Sequence, residues 1–153
     1  MAEYLLNSML ASEHLDTEYK AESAGTLPGI SFQPIYSSAR RKLEEHGIDG
    51  SLHEARNVVW GDYDRYDKII CMDDKTLKDT ARIVDIPIEE INRIREEEGV
   101  RQARICKLMD FVEDKKGIDV SDPMMTGDFD KAWDDLQEGC DGLLQYLRDS
   151  ISR

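Results

Sequence analysis

The 153-residue sequence has no run of about eighteen apolar residues, so no stretch of it reads as a membrane-spanning helix. It also lacks a basic segment leading into a short apolar one, so no export signal is legible and a cytoplasmic protein is expected. Cysteine is scarce: Cys71, Cys106 and Cys140 are far apart, lack metal-ligand spacing and fall in apolar segments. They read as buried, reduced thiols, and no metal site is expected. Basic residues are outnumbered, 20 Lys and Arg against 33 Asp and Glu, for a net charge of −13. Nucleic acid or an anionic membrane surface would be repelled by such a surface. A local phosphate pocket remains compatible with it, because the field at a helix N-terminus is short-ranged. Repeats and low-complexity linkers are missing too. With 40% hydrophobic and 35% charged residues, the chain reads as a single globular domain over 1–153.

The hydrophobic period divides this domain into alternating helices and strands. Leu5, Leu6, Met9 and Leu10 share one face of an opening helix that ends by about His14. A short strand is predicted around Tyr19 to Ser23, stopped by Gly25. Ser37 reads as the cap of a helix running through Leu43 to His46, with Gly47 beyond its end. Lys68 to Met72 is apolar on both faces, as a buried parallel strand requires. A helix from about Lys75 to Ile83 follows it, and Ile88, Ile91 and Ile94 mark another between Pro87 and Gly99. Ala103 to Leu108 reads as the last strand. From Phe129 to Ile151, apolar residues recur at intervals of three and four, the mark of a long amphipathic helix. Strands separated by helices imply parallel pairing, with ligands bound at the carboxyl ends of the strands. The segments to watch are therefore Ser23-Ala24-Gly25-Thr26, Met72-Asp73-Asp74 and Ser121-Asp122-Pro123. Each has a plain structural reading: a turn in the first, and a capping aspartate held extended by proline in the last.

In order and spacing, Ser23-Ala24-Gly25-Thr26, His46-Gly47-Ile48, His53-Glu54-Ala55-Arg56, Tyr66 to Asp73, Asp122-Pro123, Thr126 to Phe129 and Gly139-Cys140 form a specific set. The set resembles the low-molecular-weight protein-tyrosine-phosphatase family across essentially the whole chain. That resemblance implies a three-layer phosphatase I-like (flavodoxin-like) α/β fold with a parallel sheet. It also implies hydrolysis of phosphotyrosine in proteins, or of small aryl phosphates, through a phosphocysteine and without a cofactor. By resemblance Asp122 is the general acid and then the base, while Ser23 and His53 brace the phosphate loop. Ser23 as a turn serine and His53 as a histidine beside a helix remain open alternatives.

This sequence departs from the family pattern in ways that shape expectation. The family's phosphate loop, C-x-x-x-x-x-R-S-P, leads into a helix that often opens Met-Ala-Glu, as Met1-Ala2-Glu3 does here. No cysteine carries an arginine six positions on, since those positions are Leu77, Val112 and Tyr146. The resemblance therefore predicts a domain truncated at its N-terminus, lacking the nucleophile, the phosphate-binding arginine and the first, central strand. Such a chain would be inactive as it stands and poorly stable as a monomer, with unpaired strand edges beside a gap. After Asp122-Pro123 the family usually has two aromatic residues; Met124 and Met125 stand here, offering substrate a soft apolar wall. At the pocket lip, Gly29 stands where a bulky residue is usual, with Phe32 three positions later. A catalytically dead binding or regulatory module is the alternative. An arsenate reductase fits less well, because the three cysteines are not paired for disulfide exchange.

Overall fold

The computed structural model describes residues 1–152. Its elements are α1 (Ala2–Ser12), α2 (Ser37–Glu45), α3 (Asp62–Arg65), β1 (Ile69–Cys71), α4 (Asp74–Val84), α5 (Ile88–Arg93), β2 (Ile105–Lys107), α6 (Pro123–Thr126) and α7 (Phe129–Ile151). A π-helical turn, Ile94–Glu98, continues α5, and two short 3-10 turns, Leu108–Phe111 and Glu113–Lys115, follow β2.

β1 and β2 pair in parallel with Ile69 opposite Ile105, Ile70 opposite Cys106 and Cys71 opposite Lys107. Successive side chains of a strand point to opposite faces, and here they feed two separate cores. Ile70 and Met72 pack with Leu6 and Leu10 of α1, Leu108, and Trp133, Leu136, Leu143 and Leu144 of α7. Ile69, Cys71 and Ile105 pack with Leu77, Ala81 and Val84 of α4 and Ile91 of α5. The sheet thus lies between an α1/α7 layer and an α4/α5 layer. Burying each of these large aliphatic side chains contributes roughly 1.5–3 kcal/mol.

Local chemistry sets the element ends. Asp73 accepts the Thr76 N–H at 2.8 Å while the Thr76 hydroxyl receives the Asp73 N–H, a reciprocal cap that starts α4. Asp128 caps α7 through the Lys131 N–H. α7 passes close over the Leu108–Phe111 turn at Gly142, where an added Cβ would lie 2.4 Å from the Phe111 carbonyl oxygen. Gly142→Ala is accordingly expected to destabilise the fold by about 1–3 kcal/mol, because backbone rather than a flexible side chain must yield. An unchanged urea midpoint would show that this approach is not tight.

Several sequence expectations are corrected. No strand forms around Tyr19 to Ser23; the segment runs without turn or bend, and only Gly25 makes an isolated parallel bridge, to Asn57. A strand requires a neighbour to satisfy its ladder, and hydrophobic pattern alone does not provide one. β1 is three residues, shorter than Lys68 to Met72; just beyond it the Met72 carbonyl accepts the Val120 N–H. At its other end, the Lys68 ammonium donates to the Val100 and Ala103 carbonyls. α2 begins at Ser37 with Tyr36 as its cap residue, and no side chain caps it. The helix after Pro87 does not run regularly to Gly99. It loosens into the π turn, which closes with the Gly99 N–H on the Ile94 carbonyl and Gly99 at φ 77°.

Candidate active site

The Tyr19–Thr26 segment, β1 and the helices α1 and α7 enclose a cavity of about 820 Å³. Its floor is apolar, with Leu6, Leu10, Ile70, Leu136 and Leu143 among the lining residues. Its polar margin is made by Glu3 at the start of α1, Ser23, Arg56 and Asp62, Asp73, and the Ser121-Asp122-Pro123 loop.

That loop is held by three anchors. The Lys107 side chain, fully buried, reaches out of β2 to the Gly117 carbonyl at 2.6 Å, Asp74 at 2.9 Å and Asp119. Burial pulls its pKa down, but the two carboxylates outweigh burial and leave it raised, so the lysine is a fixed cation. The Val120 N–H donates to the Met72 carbonyl at 2.8 Å. The Ser121 N–H donates to Asp135 of α7 at 2.9 Å. Asp122 follows at once, and its carboxylate accepts the Met124 N–H at 2.9 Å as the cap of α6, with Pro123 in the first turn. Met124 and Met125, on α6, are exposed; unlike Pro123 they do not line the cavity.

Ser23 and His53 are brought together through a residue that the sequence reading left without a role. The Ser23 hydroxyl donates to the Glu3 carboxylate, and His53 Nδ1 lies 3.6 Å from the same carboxylate, with the Tyr4 ring edge-on to the imidazole at 5.6 Å. Glu3 was visible only as part of Met1-Ala2-Glu3; nothing in the sequence announces a meeting of three distant segments. Arg56, part of the His53-to-Arg56 motif, is the second such residue. It donates to Asp62 at 2.9 Å and its guanidinium lies 5.7 Å from the Tyr66 ring centre. Asp62 is buried; burial raises its pKa, and the bonds from Arg56 and the Val59 N–H more than offset this, keeping the carboxylate ionised. The loop after Gly25 is tied down by Asn57, whose amide donates to the Leu27 carbonyl at 2.6 Å. Phe32 projects from it, exposed and in the left-handed region at φ 67°. Gly29 takes φ 77° there, which a side chain would strain.

All three cysteines are buried. Loss of solvation pushes the Cys71 thiol up to about 11 and those of Cys106 and Cys140 up to about 12. Thiols in this state are poor nucleophiles at neutral pH. Among the described residues no cluster of His, Cys, Asp and Glu has the arrangement to hold a metal ion, and no helix is long and apolar enough to cross a membrane.

A family model described as low molecular weight phosphotyrosine protein phosphatase matches residues 1–153. The chain is 33% identical over 151 residues to the low molecular weight protein-tyrosine-phosphatase YfkJ of Bacillus subtilis, a match that covers 97% of this chain and 86% of that protein. It is 23% identical over 147 residues to the low molecular weight phosphotyrosine protein phosphatase of Gallus gallus, covering 95% of this chain and 85% of that one. Among solved structures, that of Bacillus subtilis YfkJ superposes with a TM-score of 0.81 at 27% identity, covering 97% and 86% of the two chains. A protein tyrosine phosphatase from Entamoeba histolytica superposes with a TM-score of 0.76 at 25% identity, covering 98% and 88%.

Proposed function

The chain belongs to the low molecular weight phosphotyrosine protein phosphatase family, and from that premise we propose that its site serves hydrolysis of phosphotyrosine or related aryl phosphates through a phosphocysteine. The observation that carries this reading is the common margin: Asp122, Ser23 and the Glu3 end of α1 border one cavity. Asp122 protonates the departing phenolate, then takes a proton from the water that hydrolyses the phosphocysteine. Ser23 and His53, joined by Glu3, act as braces that orient the phosphate-binding backbone at the start of α1. Met124 and Met125, exposed on α6 outside the cavity lining, offer an apolar surface for a phenyl ring at the cavity's edge near Asp122.

The nucleophile and its arginine are not among these residues. No cysteine has an arginine six positions on, and the three thiols present are buried and protonated. The chain alone is therefore expected to hydrolyse p-nitrophenyl phosphate no faster than buffer. A form extended upstream by an apolar strand and a C-x-x-x-x-x-R-S-P loop is expected to turn it over. Hydrolysis by the unextended chain that disappears on substituting Cys71, Cys106 or Cys140 would give that thiol the nucleophile's role and overturn this reading. An inert extended form would equally remove the enzymatic assignment. The three inaccessible thiols favour, as a second reading, a binding or regulatory module, in which the extended form would bind an aryl phosphonate without turnover.

A further inference from the structure

We infer that Asp135 of α7 is a positioning residue for the proton donor: by holding the Ser121 N–H it fixes the direction in which the Asp122 carboxylate meets a leaving phenolate. This role rests on the reading of Asp122 as general acid given above.

From Asp122 to Gly127, every hydrogen bond among the described residues stays within the segment 122–128. The Met124 N–H donates to the Asp122 carboxylate, and the Met125 and Thr126 N–H groups to the Asp122 carbonyl. The Gly127 N–H donates to the Pro123 carbonyl, and the Asp128 N–H to the Thr126 hydroxyl. None of residues 122–128 is buried. Such a unit keeps its own shape, while its direction is set at the two ends where it joins the fold. The far end is the start of α7, where Asp128 accepts the Lys131 N–H at 2.9 Å. The near end is Ser121, whose N–H donates to one oxygen of Asp135 at 2.9 Å while the Lys131 ammonium takes the other oxygen. Both ends thus close on the first two turns of α7, through Asp128, Lys131 and Asp135.

Burial singles out Asp135. Its side chain is only 8% exposed, a costly place for a carboxylate unless both oxygens are bonded. A lysine and an aspartate four apart can pair on the outer face of a helix without any burial, so what the buried position adds is the Ser121 N–H. The other anchors of the loop act further back. Lys107 reaches Gly117 and Asp119, and Met72 accepts the Val120 N–H. From Val120 to Asp122 the chain can span about 7 Å, so one peptide rotation there swings the carboxylate by ångströms. Proton transfer needs heavy atoms within about 2.6–3.2 Å, and an ångström of misplacement costs on the order of 10²-fold. The Asp135 bond lies inside that span.

Three variants test the role: Asp135→Ala; Asp135→Asn, which keeps an oxygen for the Ser121 N–H; and Asp135→Ala combined with Asp122→Asn. In the chain as it is, hydrogen exchange at the Ser121 amide is expected to quicken at least about tenfold in the alanine variant and to return toward the parent rate in the asparagine one. In the upstream-extended form, Asp135→Ala is expected to lower kcat/KM for phenyl phosphate by about ten- to a hundredfold and for a dinitrophenyl ester by far less. Asp135→Asn should recover most of that loss. The ratio between the two esters does not depend on how much of the protein is folded, so a weakened variant still reports. Where Asp122 is already asparagine, removing Asp135 is expected to cost nothing more, since no proton donor remains to be placed. If Asp122→Asn is itself selective for phenyl phosphate, three results each overturn the role of Asp135 and leave Asp122 as the acid: equal losses for the two esters in Asp135→Ala, additive losses in the double variant, or unchanged exchange at Ser121. An inert extended form, or a phenyl phosphate rate untouched by Asp122→Asn, overturns the general acid and this role with it.

Discussion

Asp122→Asn in the upstream-extended form is expected to lower kcat/KM by about 10²–10⁴-fold for phenyl phosphate, whose leaving group has a pKa near 10 like tyrosine. For a dinitrophenyl ester, whose phenolate departs without help, the loss should be much smaller. Asparagine is as good a helix cap as aspartate, so the Met124 N–H keeps its acceptor and α6 its start. What the substitution removes is the transferable proton. A loss of the same size for both leaving groups would mean that Asp122 shapes the loop instead of supplying that proton. No loss at all would take it out of the mechanism.

Arg95→Met is expected to destabilise the chain by about 3–5 kcal/mol, the effect of leaving one partner of a buried ion pair uncompensated. Arg95 reaches Asp110 with two parallel hydrogen bonds, 2.7 and 3.0 Å, and the two side chains are only 7% and 9% exposed. Asp110 also accepts the Lys107 and Gly117 N–H groups, at 2.9 Å each, so it joins the π turn after α5, the end of β2 and the loop that leads to Asp122. Burial pushes the Asp110 pKa up, but Arg95 and these N–H donors outweigh it and hold the carboxyl below its usual range. A depressed folded-state pKa gives stability that is present above the unfolded value, about 3.9, and is lost as pH falls through the folded value. In Arg95→Met the opposing bonds are fewer and burial dominates, so the deficit should be largest near neutrality and shrink toward pH 4. Adding Asp110→Asn should recover part of it, because no unpaired charge then remains. Urea unfolding of the three variants across pH checks this, and a deficit independent of pH would point to lost packing instead.

How much of this was legible in advance differed by element. α7 matches its expected limits, Phe129 to Ile151, because a single apolar stripe at helical spacing faces one continuous core. β1 and β2 were legible from their apolar runs, and the alternation of Ile69 and Ile70 between two cores explains why those runs are apolar on both faces. The stretch from Tyr19 to Ser23 has a strand's composition, but pairing depends on what lies beside it. Sequence pattern does not report that neighbour. The capping role of Asp122 was readable from Asp-Pro, and its place on the same cavity margin as Ser23 was implied by resemblance alone. The meeting of Glu3, Ser23 and His53, and the Arg95–Asp110 pair, were not readable at all. Each joins residues whose separation in sequence carries no periodic signal.

The three buried cysteines offer a built-in clock. With pKa values of about 11 to 12, about one thiol in ten thousand or fewer is ionised at pH 7. Buried and protonated, all three thiols react slowly with alkylating reagents until the molecule opens. Cys71 and Cys140 line the cavity, whereas Cys106 is buried and is not among its lining residues. The relative labelling rates of the three positions thus separate breathing at the cavity from global unfolding, without any introduced probe.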